Sequence, residues 1–322
     1  MKAIRIHEPG GPEKLVLEEL PTPEPGEGEL LVRLEAIGVN YTDVQLRLGT
    51  HGQPMPLTPG REGAGVVEAL GPGVSGFAVG DRVAYAPVQG AYAEYALLPA
   101  AEAIKMPDGM EMQLAAAIML QGMTAHYLCY STYPLKAGES CLIHAGAGGM
   151  GLMLIQMCKA LGATVYTTVS TEEKAQLTRE AGADHVILYT KQDFEEEVNR
   201  LAGPHKLDVI YDAVGKTTFA KGLNLLRPRG MMALYGAASG PVPPLELREL
   251  SNKGSLYVTR PMLGAYTLTR EELEWRANDV MNWVNGGKIK IRIGGTWPLA
   301  EAAAAQAALE SRATTGKLLL IP

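Results

Sequence analysis

The sequence predicts a two-domain α/β protein in which a β-rich domain is joined to a doubly wound parallel sheet. Three observations support this fold. The chain has 322 residues, the length of about two domains. Short alternating strands and turn residues fill the part before Gly122, and strands alternate with helical patterns after Leu135. Apolar residues make up 47% of the chain, enough to form a core in each domain.

The first part of the chain is predicted to form short strands that are buried on one face. Residues 32–36 alternate apolar and charged side chains, which is typical of such a strand. Further strands are predicted over residues 65–70, 82–85 and 92–97, and the turn signal Gly71-Pro72-Gly73 follows the first of them.

The second part predicts six parallel strands with helices between them, at residues 141–144, 164–169, 185–189, 208–211, 231–235 and 256–259. Strands joined through helices form right-handed crossovers, so these six are expected to build one doubly wound sheet. A helix over residues 271–284 follows, and then a strand, a helix and a last strand over 317–321. This tail is expected to complete the first domain, so the predicted domains are residues 1–122 with 286–322, and residues 123–285.

Composition and charge disfavour several classes of function. Lysine and arginine number 29 against 35 acidic residues, and the net charge of −6 disfavours broad electrostatic binding of nucleic acid or membrane. No apolar run reaches the ~18 residues of a membrane span, and the first residues do not resemble a signal peptide. The spacing of Cys129, Cys141 and Cys158 fits neither a disulfide framework nor a metal knuckle, so a reducing, cytoplasmic location is expected.

The motif Gly146-Ala147-Gly148-Gly149-Met150-Gly151 is a full GxGxxG between a predicted strand and a predicted helix. Glycines at these positions permit a tight turn, the close approach of a pyrophosphate and close packing of helix on strand. Free N–H groups at the helix start bind the phosphates. The strand before and the helix after favour a dinucleotide site over the alternative, a purely structural glycine turn.

The end of the next strand distinguishes NADH from NADPH. A carboxylate there binds the ribose 2′-hydroxyl of NADH, whereas cations and hydroxyls accept the 2′-phosphate of NADPH. The strand ends at Ser170 without a carboxylate, and Lys174 lies one turn into the next helix, so NADPH is predicted. The alternative is that Ser170 and Glu173 form an S-x-x-E capping box, and Glu172 and Glu173 would weaken phosphate binding.

Several stretches carry a resemblance to a known family: Gly60-Arg61-Glu62-Gly63-Ala64-Gly65, Leu120-Gln121-Gly122-Met123-Thr124-Ala125, Lys253-Gly254-Ser255-Leu256-Tyr257-Val258-Thr259-Arg260-Pro261 and Glu310-Ser311-Arg312-Ala313-Thr314. Over its whole length the chain resembles the medium-chain dehydrogenase/reductase superfamily, and within it bacterial NADPH:quinone oxidoreductases of the zeta-crystallin type. The resemblance implies a GroES-like catalytic domain, a Rossmann domain that binds NADPH, and the reduction of quinones.

The zinc alcohol dehydrogenases of the same superfamily are the alternative, and the residues disfavour them. A catalytic zinc site needs about three protein ligands from Cys, His or carboxylates. Where that branch carries a cysteine this chain has Asn40, where it carries a histidine this chain has Arg61, and no cysteine precedes Cys129. The six histidines, at positions 7, 51, 126, 144, 185 and 205, show no metal-ligand spacing, and His144 is expected to be packed. A metal-free enzyme is therefore predicted.

Carried over to matching positions, the resemblance implies a set of cofactor contacts. Residues 40–45 and Tyr127 are implied near the nicotinamide, the glycine motif at the pyrophosphate, and Ser170, Lys174 and Tyr189 at the adenosine end. The full set comprises Asn40, Tyr41, Tyr127, Gly146, Gly148, Gly149, Met150, Gly151, Ser170, Lys174, Tyr189, Gly236, Ala237, Ala238, Met262, Leu263, Gly264 and Arg312. The alternative for Arg312 is a surface salt bridge.

The catalytic candidates are Asn40, Tyr41, Asp43 and His51, and none of them is assigned as an essential general acid. A proton can come from water, from Tyr41 or from His51. His51 stands in the loop where the family commonly has a tyrosine. Two alternatives are open for it: a place at the mouth of the cleft, or a solvated position in the loop.

The implied reaction is the reduction of a quinone by hydride or electron transfer from NADPH, for which the protein supplies orientation and electrostatics. The runner-up is the reduction of an activated carbon–carbon double bond in an alkenal or enone. An alternative from another class of function is an NADPH-binding or RNA-binding crystallin-like protein. The absence of a basic run disfavours RNA binding. Val258 and its neighbours are predicted to be an edge strand that pairs with a second copy in a homodimer.

Overall fold

The computed structural model describes residues 1–50 and 52–322, so the catalytic candidate His51 lies outside the described residues. The described chain forms two compact units. One contains residues 1–123 and 266–322 and is called the β-rich unit below, and the other contains residues 124–265 and is called the parallel unit. Within the described part, no helix combines the length and apolarity needed to cross a membrane.

The strands, in chain order, are β1 (Lys2–Arg5), β2 (Val16–Glu19), β3 (Glu29–Val39), β4 (Gly63–Leu70), β5 (Arg82–Tyr85), β6 (Tyr95–Pro99), β7 (Ile104–Lys105), β8 (Ser140–Ile143), β9 (Thr164–Val169), β10 (His185–Leu188), β11 (Leu207–Asp212), β12 (Leu226–Leu234), β13 (Tyr257–Thr259), β14 (Ile293–Pro298) and β15 (Lys317–Ile321). The α-helices are α1 (Tyr41–Arg47), α2 (Met112–Tyr127), α3 (Gly149–Ala160), α4 (Glu172–Glu180), α5 (Phe194–Ala202), α6 (Phe219–Leu225), α7 (Leu247–Asn252), α8 (Arg270–Asn285) and α9 (Ala302–Glu310).

The β-rich unit is built on a seven-stranded sheet in the order β14-β15-β3-β4-β5-β7, with β6 also paired to β3. The long strand β3 is central because it pairs with β15, β4 and β6. Its apolar side chains enter a core that includes Leu30, Val32 and Leu34. The strand predicted over 92–97 begins only at Tyr95, because Tyr92 is bonded instead to the carbonyl of Pro59.

The parallel unit confirms the predicted doubly wound sheet. Its six strands lie in the order β10-β9-β8-β11-β12-β13, and each pairs in parallel with its neighbours. The chain moves outward from β8 to one side through β9 and β10, and then to the other side from β11 to β13. Ligands bind such sheets outside the carboxyl ends of the strands at this change of direction. The expected position is therefore the end of β8.

The helix α8 packs within the β-rich unit, although the sequence pattern grouped it with the nucleotide domain. The Arg270 guanidinium donates through Nη1 to the carbonyls of Ala101 and Ala103, at 3.0 and 2.7 Å. The Asn285 amide donates to the carbonyl of Asp108 at 3.4 Å. Because these contacts are made to distant segments, the local sequence of α8 gives no sign of them. The domain limits of 1–122 with 286–322, and of 123–285, remain predictions.

Candidate active site

The predicted cofactor residues of the parallel unit follow the carboxyl ends of its strands. The glycine motif follows β8, Ser170 follows β9 and Tyr189 follows β10, whereas residues 236–238 follow β12 and residues 262–264 follow β13. Parallel strands present these ends at one edge of the sheet. In the observed strand order the glycine motif is central, with the adenosine-side candidates on one side and the other two segments on the other.

The packing of the chain itself explains two of the three motif glycines. A Cβ atom at Gly146 would lie 2.0 Å from the Thr167 hydroxyl oxygen, and one at Gly151 would lie 2.5 Å from the Gly146 carbonyl oxygen. At Gly148 the nearest atom to such a Cβ is the Ala145 carbonyl oxygen at 3.4 Å, an ordinary contact. The first and third glycines are therefore required by the close approach of turn, strand and helix, whereas the second is not.

The start of helix α3 is open to an anion. Gly148 is the N-cap residue and contributes no capping side chain, and no acidic residue stands in the first turn. The N–H groups and the dipole of a helix N-terminus favour a negative charge. Small side chains and free N–H groups at the centre of the sheet edge together fit a pyrophosphate.

Two buried groups hold the loops on either side of this turn. Asp212 accepts hydrogen bonds from the N–H groups of Val214 and Gly215 and from the Thr218 hydroxyl, at 2.7, 3.1 and 2.8 Å. His144 lies at the end of β8 with its Nδ1 atom 2.9 Å from the Thr168 hydroxyl oxygen. Burial lowers the pKa of His144, so the ring is held neutral in the core. Sequence reasoning missed Asp212, which stands in no recognised motif.

The capping box on Ser170 and Glu173, which is the alternative to phosphate binding by Ser170 and Lys174, does not form. The N-cap of helix α4 is Thr171, whose hydroxyl oxygen accepts a hydrogen bond from the Lys174 N–H at 3.3 Å. The helix starts one residue later than the S-x-x-E pattern indicates. The Ser170 hydroxyl therefore does not cap this helix, while its carbonyl accepts a hydrogen bond from Thr190 at 2.8 Å.

The acidic residues near this helix start are engaged by their own helix. The Arg179 guanidinium contacts the Glu172 carboxylate at 2.5 Å. Hydrogen bonds from its own N–H and from the Thr171 hydroxyl lower the pKa of Glu173. Lys174 is half-buried, and burial lowers the pKa of its ammonium group. A phosphate beside Lys174 would stabilise the charged form of this lysine.

In the β-rich unit, Asn40 is the centre of a buried polar cluster. Its side-chain Nδ2 donates to Glu62 at 2.8 Å, and its Oδ1 accepts from Lys317 Nζ at 2.8 Å and from Gln121 at 3.2 Å. Lys317 Nζ also donates to Glu62 at 2.5 Å, and both charged side chains are at most 1% exposed. Glu62 and Gln121 stand in the family-like stretches, but sequence reasoning gave neither of them nor Lys317 a role.

This cluster contains an ammonium group beside Asn40, the residue that stands where the zinc branch carries a cysteine. An amide, an ammonium and one carboxylate do not form a zinc site, because the ammonium has no free lone pair and repels a cation. Across residues 1–50 and 52–322, no group of three or more His, Cys, Asp and Glu side chains is arranged to hold a metal ion.

The other candidates of the β-rich unit differ in exposure. Tyr41 is the first residue of α1 and is partly exposed, and Arg312 is exposed just after α9. Asp43 is fully buried, and its Oδ2 accepts hydrogen bonds from the Asn40 N–H at 2.9 Å and the Tyr92 hydroxyl at 3.3 Å. Burial raises the pKa of Asp43 to about 7, against the opposing effects of the Asn40 N–H and the Lys317 charge.

Tyr127 is the remaining nicotinamide candidate. Its side chain is 1% exposed, and it is the last α-helical residue of α2 before a π-helical segment over Leu128–Thr132. Such π segments occur often at functional sites. The sequence contains no proline or glycine there that would have indicated this change of helix type.

The fold and the glycine turn define a two-domain, dinucleotide-binding protein of the dehydrogenase type. Two family models match the chain, "Alcohol dehydrogenase GroES-like domain" over residues 26–108 and "Zinc-binding dehydrogenase" over residues 149–280. The chain belongs to the medium-chain dehydrogenase/reductase family, in its quinone oxidoreductase branch.

The chain is similar in sequence to individual relatives over its full length. The chain is 45% identical to a quinone oxidoreductase of Pseudomonas aeruginosa, covering 100% of this chain and 99% of the relative. It is 44% identical to a 2-haloacrylate reductase of a Burkholderia species, covering 99% of this chain and 98% of the relative. The structure of the Escherichia coli quinone oxidoreductase complexed with NADPH matches with a TM-score of 0.98 at 41% identity, covering 100% of both chains.

The raised pKa of Asp43 predicts a pH-dependent difference between wild type and Asp43→Asn. The folded protein keeps the Asp43 proton up to about pH 7, whereas the unfolded chain loses it near pH 4. Wild type should therefore lose stability relative to Asp43→Asn as pH rises from 5 to 7, by up to about 1.4 kcal/mol per pH unit. Denaturant unfolding at several pH values measures this.

The exposed carboxylate variant Asp108→Asn serves as the control and should leave the pH dependence of wild type unchanged. If Asp43→Asn and wild type lose stability in parallel between pH 5 and 7, Asp43 does not titrate in this range.

Proposed function

We propose that this protein reduces quinones with NADPH and without a metal ion. The observation that carries the proposal is the open, glycine-lined helix start at the centre of the sheet edge, in a chain similar over its full length to quinone oxidoreductases. The residues that follow β9 support the 2′-phosphorylated cofactor, because Ser170 and Lys174 are present in place of the carboxylate that NADH requires.

Different residues of this chain would bind different parts of NADPH. The N–H groups of residues 149–151 bind the pyrophosphate, and Ser170, Lys174 and Tyr189 bind the adenosine end. The remaining contacts are assigned to the nicotinamide side and the cleft: Asn40, Tyr41, Tyr127, Gly236, Ala237, Ala238, Met262, Leu263, Gly264 and Arg312. This assignment follows the family resemblance and the positions of these residues at strand and helix ends.

When bound, NADPH supplies a hydride that a quinone accepts directly. The protein orients the substrate, and the enclosed Asn40 cluster keeps the turn that carries Tyr41 in one conformation. Tyr41 is partly exposed and is one candidate source of a proton for the substrate oxygen, beside water and His51. Asp43 is fully buried and bonded to the Asn40 N–H, so it supports this turn without touching substrate.

A second candidate function is the reduction of an activated carbon–carbon double bond. The 44% identity to a 2-haloacrylate reductase specifically favours it. The same hydride donor and the same metal-free cluster serve both reactions, and the shape of the substrate cleft selects between them.

We also propose that two copies pair through β13. This strand is the last in the sheet order and pairs with β12 along one side in the described chain, and Tyr257 in it is 57% exposed. An uncovered sheet edge is a site for strand addition by a second copy.

A reducing, cytoplasmic location is also proposed. It is supported by three buried cysteines that form no disulfide, Cys129, Cys141 and Cys158.

The function is tested by following nicotinamide absorbance with NADPH and NADH, using an ortho-quinone, a short enone and 2-chloroacrylate as acceptors in the presence of a chelator. Chelator-resistant turnover of the quinone with NADPH is expected. Lys174→Ala should raise the KM for NADPH roughly tenfold and leave that for NADH nearly unchanged, because it removes a phosphate contact worth about 1.4 kcal/mol.

Lys136→Ala, an exposed lysine just before β8, is the matched control and should behave as wild type. Turnover of the enone or 2-chloroacrylate but not of the quinone would establish the second candidate instead. Turnover that the chelator abolishes would contradict the metal-free reaction.

The unequal packing of the glycines predicts different defects for two alanine variants. Gly148→Ala should keep the Tm of wild type and raise the Kd for NADPH roughly tenfold, because its Cβ has room in the protein but obstructs the pyrophosphate. Gly151→Ala should lower the Tm, since its Cβ overlaps the carbonyl oxygens of Gly146 and Ala145. Thermal unfolding and NADPH titration measure both, and a normal Kd for Gly148→Ala would place the pyrophosphate elsewhere.

The edge-strand proposal predicts that wild type is a dimer in light scattering at micromolar concentration. Tyr257→Asp places a charge on the exposed edge and should give a folded monomer, whereas Tyr189→Asp, at an exposed tyrosine outside β13, should remain dimeric. A wild-type monomer, or a Tyr257→Asp dimer, would refute pairing through β13.

A further inference from the structure

We propose that Lys317 is a positioning residue of the reaction, whose ammonium group fixes the orientation of the Asn40 amide. The inference rests on the proposed function, because that function assigns the turn beginning at Asn40 to the nicotinamide and substrate. It adds a residue that the sequence motifs do not point to.

The strand register brings these two residues together. Strand β15 runs antiparallel to β3, and Leu318 stands opposite Val39. The preceding residue of β15 is therefore beside the residue that follows β3. Lys317 is 1% exposed at the start of an otherwise apolar strand, and its Nζ reaches the Asn40 Oδ1 at 2.8 Å.

The hydrogen-bond chemistry of the cluster allows only one orientation of the amide. A lysine ammonium has donors only, and an ionised carboxylate has acceptors only. Lys317 must therefore face the Asn40 oxygen, and Glu62 must face the Asn40 nitrogen, as observed at 2.8 Å in each case. Turning the amide by 180° would place oxygen against carboxylate and nitrogen against ammonium. Gln121 adds a second donor to the same oxygen at 3.2 Å.

The same cluster joins segments that are distant in sequence. The other carboxylate oxygen of Glu62 accepts a hydrogen bond from the Leu120 N–H at 2.6 Å. The Asn40 N–H donates to Asp43 within the first turn of α1 at 2.9 Å. The amide orientation is thus linked to the backbone of the turn that carries Tyr41, so disturbing Lys317 should disturb the position of that turn.

A structural role alone does not require charge at these two positions. Replacing a buried ion pair by neutral side chains of similar volume is often neutral or stabilising, whereas removing one partner is strongly destabilising. The charges at Lys317 and Glu62 therefore need a reason beyond stability. Their opposite hydrogen-bonding character, which a neutral pair lacks, supplies one.

The experiment compares Lys317→Met with the double variant Lys317→Met/Glu62→Gln. The single variant should have a lowered Tm, because Glu62 is left as an uncompensated buried charge. The double variant should recover most of the Tm. Its kcat with the quinone should remain reduced by roughly 10- to 100-fold, with the Kd for NADPH changed less than about twofold, because orientation is lost while nucleotide binding remains. The fluorescence lifetime of bound NADPH should shorten as the nicotinamide becomes less restrained.

The matched control is Arg227→Met/Asp208→Asn. This partly buried pair, at 2.5 Å, lies near the start of β11, away from the carboxyl ends of the strands. It should leave kcat and the NADPH lifetime unchanged. The proposal is overturned if the Lys317 and Glu62 double variant recovers wild-type kcat together with its Tm, or if the control pair lowers kcat as much.

The lifetime measurement separates this proposal from the proposed function. If wild type binds NADPH but reduces no quinone, the proposed function fails. A shorter lifetime in the double variant then still supports positioning by Lys317, and an unchanged lifetime overturns it. If wild type binds no NADPH, both fail.

Discussion

The edge of the parallel unit that is proposed to bind the nucleotide depends on how closely the start of helix α3 approaches the turn before it and the neighbouring strand. Gly146 faces the Thr167 hydroxyl and Gly151 faces the Gly146 carbonyl at distances that exclude any side chain. This contact fixes where the helix begins, and therefore where its free N–H groups point. Because β8 is central in the sheet, the same contact places those groups between the loops that follow the other strands.

In the β-rich unit, the turn that begins at Asn40 is held by buried hydrogen bonds and opposite charges, not by close packing of glycines. Asn40, Glu62 and Lys317 form hydrogen bonds with one another in a buried site, where a fully paired polar network is rigid and a partly paired one is costly. Asp43 lies beside them with one oxygen that has no hydrogen-bond partner in the described chain. Burial raises the pKa of Asp43 to about 7, so its carboxyl can gain or lose a proton near neutral pH.

The features predicted correctly from the sequence are those with a local cause. The six parallel strands and the glycine turn are specified by residue periodicity and by steric needs within a few positions. The alternative cap on Ser170 is wrong because Ser170 and Thr171 are both suitable N-cap residues, and only the backbone path selects Thr171. Lys317 was not recognised because it lies 277 positions from Asn40, although a lysine that begins an apolar strand was a usable signal.

The order in which the chain is synthesised gives the split β-rich unit a further consequence. Glu62 and Lys317 are 255 positions apart, so at ~5–20 residues per second roughly 13 to 50 s pass between their additions to the growing chain. All of residues 124–265 are made in that interval, and they form a unit of their own. Early closure of the β-rich core would enclose Glu62 without its ammonium partner, which is unfavourable. The parallel unit is therefore expected to fold first on the ribosome, and the β-rich unit is expected to fold last.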